Sequence, residues 1–133
     1  MPDDASRAPI SPANPLLKAV RKAVARGRAT DDGLLVAESP ALVEEARASE
    51  AEIAAVLLSD EASADVASRA RQAGAPVRLV GARVFRELSS TEHSQGVIAL
   101  VRRAEWRLDA VFDGPGPVVV LDRIADPGNL GAI

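Results

Sequence analysis

Apolar and polar positions along the chain alternate in short blocks that predict strands followed by helices. Four apolar runs of four to six residues, each bounded by turn residues, predict strands at 34–37, 53–58, 77–80 and 96–101. Capping residues and helical spacing predict helices between them, at 39–49, 62–73 and 83–88. Strands that alternate with helices favour an α/β fold with a mainly parallel sheet covered on both faces.

An amphipathic helix is predicted ahead of the first strand. Asn14 and Pro15 are a suitable N-cap and first helical residue, and Gly27 is a suitable stop after a helix that runs to about Ala25. The apolar stripe of this helix consists of Leu17, Val20 and Val24. Its basic residues fall largely off that stripe, so we expect them to face solvent.

The distribution of charge says more than the net charge of −3. Residues 1–28 carry a net charge of +4, whereas the remaining residues carry −7. A basic arm on an acidic body is typical of proteins that contact a polyanion. It is equally common on solvated helices that bind nothing, so from charge alone both interpretations stay open.

Composition bounds the class of protein. A length of 133 residues suits about one domain, and the absence of cysteine excludes disulfides and thiolate chemistry. Every apolar run is shorter than a membrane span, and the polar N-terminus is unlike a signal peptide. We therefore expect a cytoplasmic protein without a membrane partner. His93 has no second histidine or cysteine to join it, so no metal site is predicted.

Proline and glycine clusters predict the domain boundaries. We expect a disordered leader at 1–13, a domain at 14–103, a linker at 104–117, and the start of a second domain at 118–133. Val118 to Leu121 is a predicted strand, and the loop after it offers backbone N–H groups and the Asn129 amide. Open α/β sheets place ligands at such strand ends. The alternative is an ordinary turn whose glycines only permit positive φ.

Three ordered motifs resemble one enzyme family. They are LDRIADPGNLGAI at 121–133, the stretch 33–46, and TEHSQGVIA at 91–99, together with the opening Asn14-Pro15-Leu16. These segments resemble the SpoU-type RNA 2′-O-ribose methyltransferases of the SPOUT superfamily. The resemblance implies the N-terminal part of such an enzyme, truncated within the first catalytic motif. It also implies a small three-layer α/β/α sandwich, a ribosomal-protein-like RNA-binding domain, followed by the first strand of a missing trefoil-knot domain.

The resemblance carries expectations about catalysis. Asn129 takes the place of the asparagine that shapes the catalytic pocket, while the catalytic arginine and the S-adenosylmethionine (AdoMet) segments are expected beyond Ile133. The parent protein is then an AdoMet-dependent enzyme that dimerises through its missing C-terminal domain. The 133-residue chain alone is expected to be inactive, with no cofactor-binding residues of its own.

RNA is the partner that the resemblance implies, rRNA first and tRNA as the alternative. The expected RNA contacts are Lys18, Arg21, Lys22, Arg26 and Arg28 with phosphates, and His93 and Gln95 with bases or backbone. For His93 and Gln95, a purely structural role at the entry to the last strand is an open alternative. For the whole chain, the alternative is a non-enzymatic RNA-binding or ribosome-associated module of the same fold.

Glu38 and Ser39 follow the first predicted strand. Glu38 can orient a basic residue that contacts RNA, or it can satisfy nearby backbone groups. Ser39 stands where the family usually has glycine, and it can serve as the N-cap of the next helix.

Overall fold

The computed structural model describes residues 8–133, and strands and helices alternate through most of them. Eight elements form the folded body: α1 (Pro15–Arg26), β1 (Leu34–Glu38), α2 (Pro40–Ala48), β2 (Ile53–Ser59), α3 (Ala64–Gln72), β3 (Val77–Val80), α4 (Ala82–Leu88) and β4 (Val97–Arg102). A 3₁₀ turn (Asp109–Phe112) and a short helix, α5 (Pro127–Ala132), follow. The predicted α/β class is confirmed, and the elements of the body lie within two residues of their predicted bounds.

Local side chains explain why the helices begin and end where they do. The first three helices each start at a residue whose side chain accepts a backbone N–H: Asn14, Ser39 and Ser63. The Oδ1 atom of Asn14, for example, accepts the N–H of Leu16 at 2.9 Å. Gly27 ends α1 in the left-handed conformation, with φ of 58°. These are short-range effects, which is why the sequence predicts the bounds well.

The sheet has the order β1-β4-β2-β3, and β4 is antiparallel to both of its neighbours. Only β2 and β3 pair in parallel, so the predicted mainly parallel sheet is wrong. In the register, Glu38 of β1 lies opposite Ile98 of β4. After α4 the chain is therefore at the carboxyl end of β1, and β4 must run back from there. The short α4 and the loop after it do not return the chain to the amino ends of the other strands.

Two apolar clusters lie on opposite faces of the sheet. One joins α1 and α4 to the sheet, and its members include Leu17, Val20, Leu34, Leu57, Phe85, Leu88, Ile98 and Leu100. The other joins α2 and α3 to the opposite face through Val43, Val56, Leu58, Val66, Ala70, Val97 and Ala99. Neighbouring residues of β2 and β4 enter different clusters because side chains alternate across a strand. Full burial of a large aliphatic or aromatic side chain contributes about 1.5–3 kcal/mol.

The predicted disordered leader is only partly covered by the structure. Residues 1–7 lie outside the described residues. Ile10 donates its N–H to the carbonyl of Leu79 at 2.8 Å, and its side chain packs against the cluster of α1 and α4. Ile10 thus pairs with the outer edge of β3, and the predicted boundary of the leader stays a prediction.

The C-terminal segment differs from its prediction. Val118 to Leu121 forms no strand within the described residues, and these side chains are largely exposed. The predicted loop at 126–131 is instead mostly α5, whose N-cap Asp126 accepts the N–H of Asn129 at 3.0 Å. An apolar run does not form a strand unless a second strand supplies its hydrogen bonds. Periodicity cannot show whether such a partner is present.

Ser39 adopts a backbone conformation that suits glycine. Its φ of 150° and ψ of 156° lie in a region that is nearly exclusive to glycine. At the same time its Oγ accepts the N–H of Leu42 at 3.2 Å and caps α2. Glycine, which the resemblance leads us to expect at this position, would adopt this conformation without strain. Ser39 is strained here but gains a helix cap.

We expect Ser39→Gly to raise the free energy of unfolding by about 1 kcal/mol. It relieves strain of about 1–3 kcal/mol, at a cost of a few tenths for the cap and about 0.5–1 kcal/mol of backbone entropy. The matched variant Ser39→Ala keeps the strain and loses the cap, so it should lower stability by about 1 kcal/mol. Urea unfolding of both variants measures the difference. Equal destabilisation by glycine and alanine would contradict the strain.

Candidate functional site

The Glu38 carboxylate joins the end of β1 to the segment that follows α4. Its Oε2 atom accepts the N–H and the hydroxyl of Ser90, both at 2.8 Å. Its Oε1 atom accepts the Thr91 hydroxyl at 3.1 Å and the Ser89 hydroxyl. Of the two alternatives for Glu38, these contacts support the satisfaction of backbone and hydroxyl groups. The carboxylate thereby fixes the start of residues 89–96, here called the 89–96 loop.

These hydrogen bonds also set the ionisation of Glu38. Partial burial by itself raises the pKa of the carboxyl group. The hydrogen bonds from Ser89, Ser90 and Ser94 act in the other direction, and together they hold the pKa of Glu38 below its ordinary value. The ionised form is thus the one that binds the loop.

Gly96 fixes the other end of the 89–96 loop. Its φ is 80°, and an added Cβ atom would lie 3.1 Å from the Cβ of Ala62 and 3.2 Å from that of Ser59. Its carbonyl accepts the N–H of Ser59 at 2.8 Å. Positive φ and close packing together require glycine here. The loop is therefore held at both ends before β4 begins.

A cleft of about 760 Å³ lies between the 89–96 loop, the start of α3 and the α4 helix. We call it the loop cleft. Its principal side chains are Glu61, Phe85, Arg86, Glu92, His93 and Gln95. Phe85 is buried in the core beneath the cleft, the half-buried Ala62 and Ala82 supply its accessible apolar surface, and Glu92, His93 and Gln95 are exposed on the loop. Arg86 and Glu61 face each other across 3.5 Å.

The predicted basic residues lie on and just after α1. Lys18, Lys22, Arg26 and Arg28 are exposed, and Arg21 is half-buried. Lys22 forms an ion pair with Asp31, whose pKa is lowered chiefly by the hydrogen bond from Lys22. Arg21 lies 3.5 Å from Glu87 of α4. Both pairs are largely solvent-exposed, so the arginine and lysine can still exchange these partners for phosphate.

The structure separates the predicted RNA contacts into two groups. Arg28 lies ahead of the amino end of β1, whereas His93 and Gln95 lie at the carboxyl end of β1, where β4 begins. A five-residue strand separates these ends by about 13 Å. The α4 helix connects the groups, since Glu87 contacts Arg21 of α1 while Phe85 and Arg86 line the loop cleft.

Asn129 is not brought together with either group. It is exposed on α5, where its N–H donates to Asp126. It does not line the loop cleft. Its predicted role in a catalytic pocket stays a prediction.

Sequence reasoning missed Glu61, Phe85, Arg86 and Glu92 as site residues. The loop cleft is built from three segments, 59–66, 82–86 and 91–96, which are far apart in the chain. Phe85 has the signal of an ordinary core residue, and Glu61 and Arg86 have that of solvated charges. Only the direction of β4 brings the segments together.

Within residues 8–133, no helix is both long and apolar enough to cross a bilayer. In the same residues, no group of three or more histidine, aspartate or glutamate side chains is arranged to hold a metal ion.

The structure is that of an α/β domain with a basic surface on α1 and a loop cleft beside α4. The chain belongs to the MRM3-like substrate binding domain family, whose sequence profile matches residues 14–99. The resemblance to the N-terminal part of SpoU-type RNA 2′-O-ribose methyltransferases is thereby confirmed over this range. A search of curated protein sequences finds no match.

Solved structures show the same fold. An RNA 2′-O ribose methyltransferase is 22% identical with a TM-score of 0.60, over 74% of this chain and 38% of that protein. An rRNA methyltransferase from Sinorhizobium meliloti is 20% identical with a TM-score of 0.53, over 71% of this chain and 36% of that protein. The AdoMet-bound rRNA methyltransferase from the same organism is 20% identical with a TM-score of 0.57, over 76% of this chain and 38% of that protein. This chain therefore spans little more than a third of their length.

Glu38→Gln should lower the free energy of unfolding by about 1–3 kcal/mol at pH 7, because a charged acceptor of several hydrogen bonds is lost. The pKa of Glu38 is lower in the folded state than in the unfolded state. Its contribution is therefore present above the unfolded pKa of about 4.3, and it is lost as pH falls through the folded pKa. Urea unfolding from pH 7 to pH 3 should show the difference from the original protein shrinking below pH 4–5.

Glu45→Gln is the matched control, since Glu45 is exposed on α2. We expect its effect to stay within about 0.5 kcal/mol. A Glu38→Gln effect no larger than that of Glu45→Gln would contradict the anchoring role of Glu38.

Proposed function

We propose that this chain is the RNA-binding N-terminal domain of an AdoMet-dependent 2′-O-ribose methyltransferase that acts on rRNA, or alternatively on tRNA. The observation that carries the proposal is the match of residues 14–99 to a substrate-binding domain family. The related solved proteins are named as RNA and rRNA methyltransferases, which makes RNA the substrate to expect.

The charge of the exposed α1 surface supports RNA as the ligand. Four of its five predicted contacts, Lys18, Lys22, Arg26 and Arg28, are exposed on a protein that is otherwise acidic. A polyanion gains most from contact with such a local surface, because the acidic body repels it elsewhere.

The finer parts of the proposal concern the whole enzyme. We propose that residues 14–103 act as a three-layer α/β/α RNA-binding unit, with 104–117 as a linker and 118–133 as the start of a methyltransferase domain. The AdoMet site and the homodimer contact would belong to a trefoil-knot domain, to which Asn129 contributes. On this proposal the chain alone does not transfer methyl groups, and the enzyme works in the cytoplasm. One related structure has AdoMet bound, which supports the choice of donor.

The test is a salt titration of RNA binding by this chain, against rRNA fragments and tRNA. The variant Lys18→Ala/Arg26→Ala/Arg28→Ala should bind more weakly, and its slope of log K against log salt should shrink by about 2–3, since each lost phosphate contact contributes about 0.9. Calorimetry with AdoMet should give no binding heat for this chain.

A charge-matched control is available on the opposite face of the sheet. Arg47, Arg69 and Arg71 are exposed cations of α2 and α3. Their triple alanine variant should leave the salt slope nearly unchanged. Equal losses in the two triple variants would show that binding follows net charge alone, and would contradict α1 as the RNA-binding surface.

A further inference from the structure

The loop cleft has a lining that differs from the basic surface of α1. The half-buried Ala62 and Ala82 form an apolar wall, and the exposed His93 and Gln95 form a polar rim. A cleft with an apolar wall and a few polar groups suits a small planar ligand or part of a larger one. The composition of the lining decides which chemical group that is.

The charges around the loop cleft disfavour a phosphate. Glu61 and Glu92 contribute two carboxylates, whereas Arg86 is the single guanidinium in the lining. Arg86 already faces Glu61 at 3.5 Å. The first turn of α3 also opens toward the cleft, but the Oγ of Ser63 accepts the N–H of Val66 at 3.3 Å. An anion would therefore meet two carboxylates and a single guanidinium, which already faces one of them.

A nucleobase matches the same groups. The Gln95 amide offers both a donor and an acceptor, and the Glu92 carboxylate accepts hydrogen bonds. These are the groups that pair with the edges of an unpaired base, while an imidazole such as His93 stacks on its flat face. A base is neutral and planar, so the two carboxylates do not repel it.

The cleft is also prepared for binding before a ligand arrives. Glu38 holds the start of the 89–96 loop through hydrogen bonds to Ser90 and Thr91, and Gly96 holds its end by close packing. A loop that is already ordered loses little conformational entropy on binding. The side chains of His93 and Gln95 are therefore presented on a fixed backbone.

The path between the two surfaces runs along α4. Arg21 of α1 contacts Glu87, and the neighbouring Phe85 and Arg86 line the loop cleft. The α4 helix thus contacts the basic helix α1 and also lines the loop cleft. We propose that the loop cleft binds one unpaired nucleobase of the RNA whose backbone lies on α1; this inference rests on the proposed function.

Two RNA hairpins with the same number of phosphates test the proposal, one with a single bulged nucleotide and one fully paired. The full chain should bind the bulged hairpin more tightly. His93→Ala/Gln95→Ala should lose about tenfold in affinity for the bulged hairpin, the size of one lost base contact. Its affinity for the paired hairpin and its salt slope should not change, because no phosphate contact is removed. Gln72→Ala on α3 is the matched control and should change neither affinity.

A second measurement makes the result independent of folding. With 2-aminopurine at the bulged position, the full chain should change the fluorescence of that base, and the double variant should not, while thermal unfolding shows the variant intact. Equal affinity of the full chain for both hairpins, or equal losses for both in the double variant, would overturn the base site and leave RNA binding standing. No binding to any RNA would overturn the proposed function and the base site with it.

Discussion

Hydrogen bonds to the Glu38 carboxylate hold the end of β1 and the residues that follow α4 together. This carboxylate lies at the end of β1 and accepts the N–H and hydroxyl of Ser90 and the hydroxyl of Thr91. The chain is thereby held at the carboxyl end of β1 when β4 begins. From this end β4 runs antiparallel to β1, and the 89–96 loop lines the loop cleft. Charge-assisted hydrogen bonds are about twice as strong as neutral ones, which suits this carboxylate to the task.

The central position of β4 places constraints on both faces of the sheet. Residues from Val97 to Leu100 are nearly fully buried, alternately under α1 with α4 and under α2 with α3. Such a strand tolerates little displacement, because a shift by one residue would exchange its two faces. Gly96 lies immediately before this buried run and packs against Ser59 and Ala62. The core and the loop cleft therefore share one boundary, and the packing that stabilises the fold also shapes the cleft.

The two surfaces differ in the range of their forces. The cations of α1 act through long-range attraction, which salt screens over about 8–10 Å. The loop cleft offers hydrogen bonds and stacking, which act only at contact. Arg21 and Glu87 connect the helices that carry the two surfaces, at 3.5 Å. On our proposals, the α1 surface attracts RNA and the loop cleft distinguishes its local shape.

The elements of the body could be predicted from the sequence, because caps such as Asn14 and the apolar periodicity of each segment are local. The sequence also indicated the family and the basic helix. Tertiary structure alone decided the direction of β4, the glycine-like backbone of Ser39 and the assembly of the loop cleft. It also decided that Val118 to Leu121 forms no strand within the described residues. Strand pairing joins residues distant in the chain, so its direction and partners depend on contacts that no local pattern records.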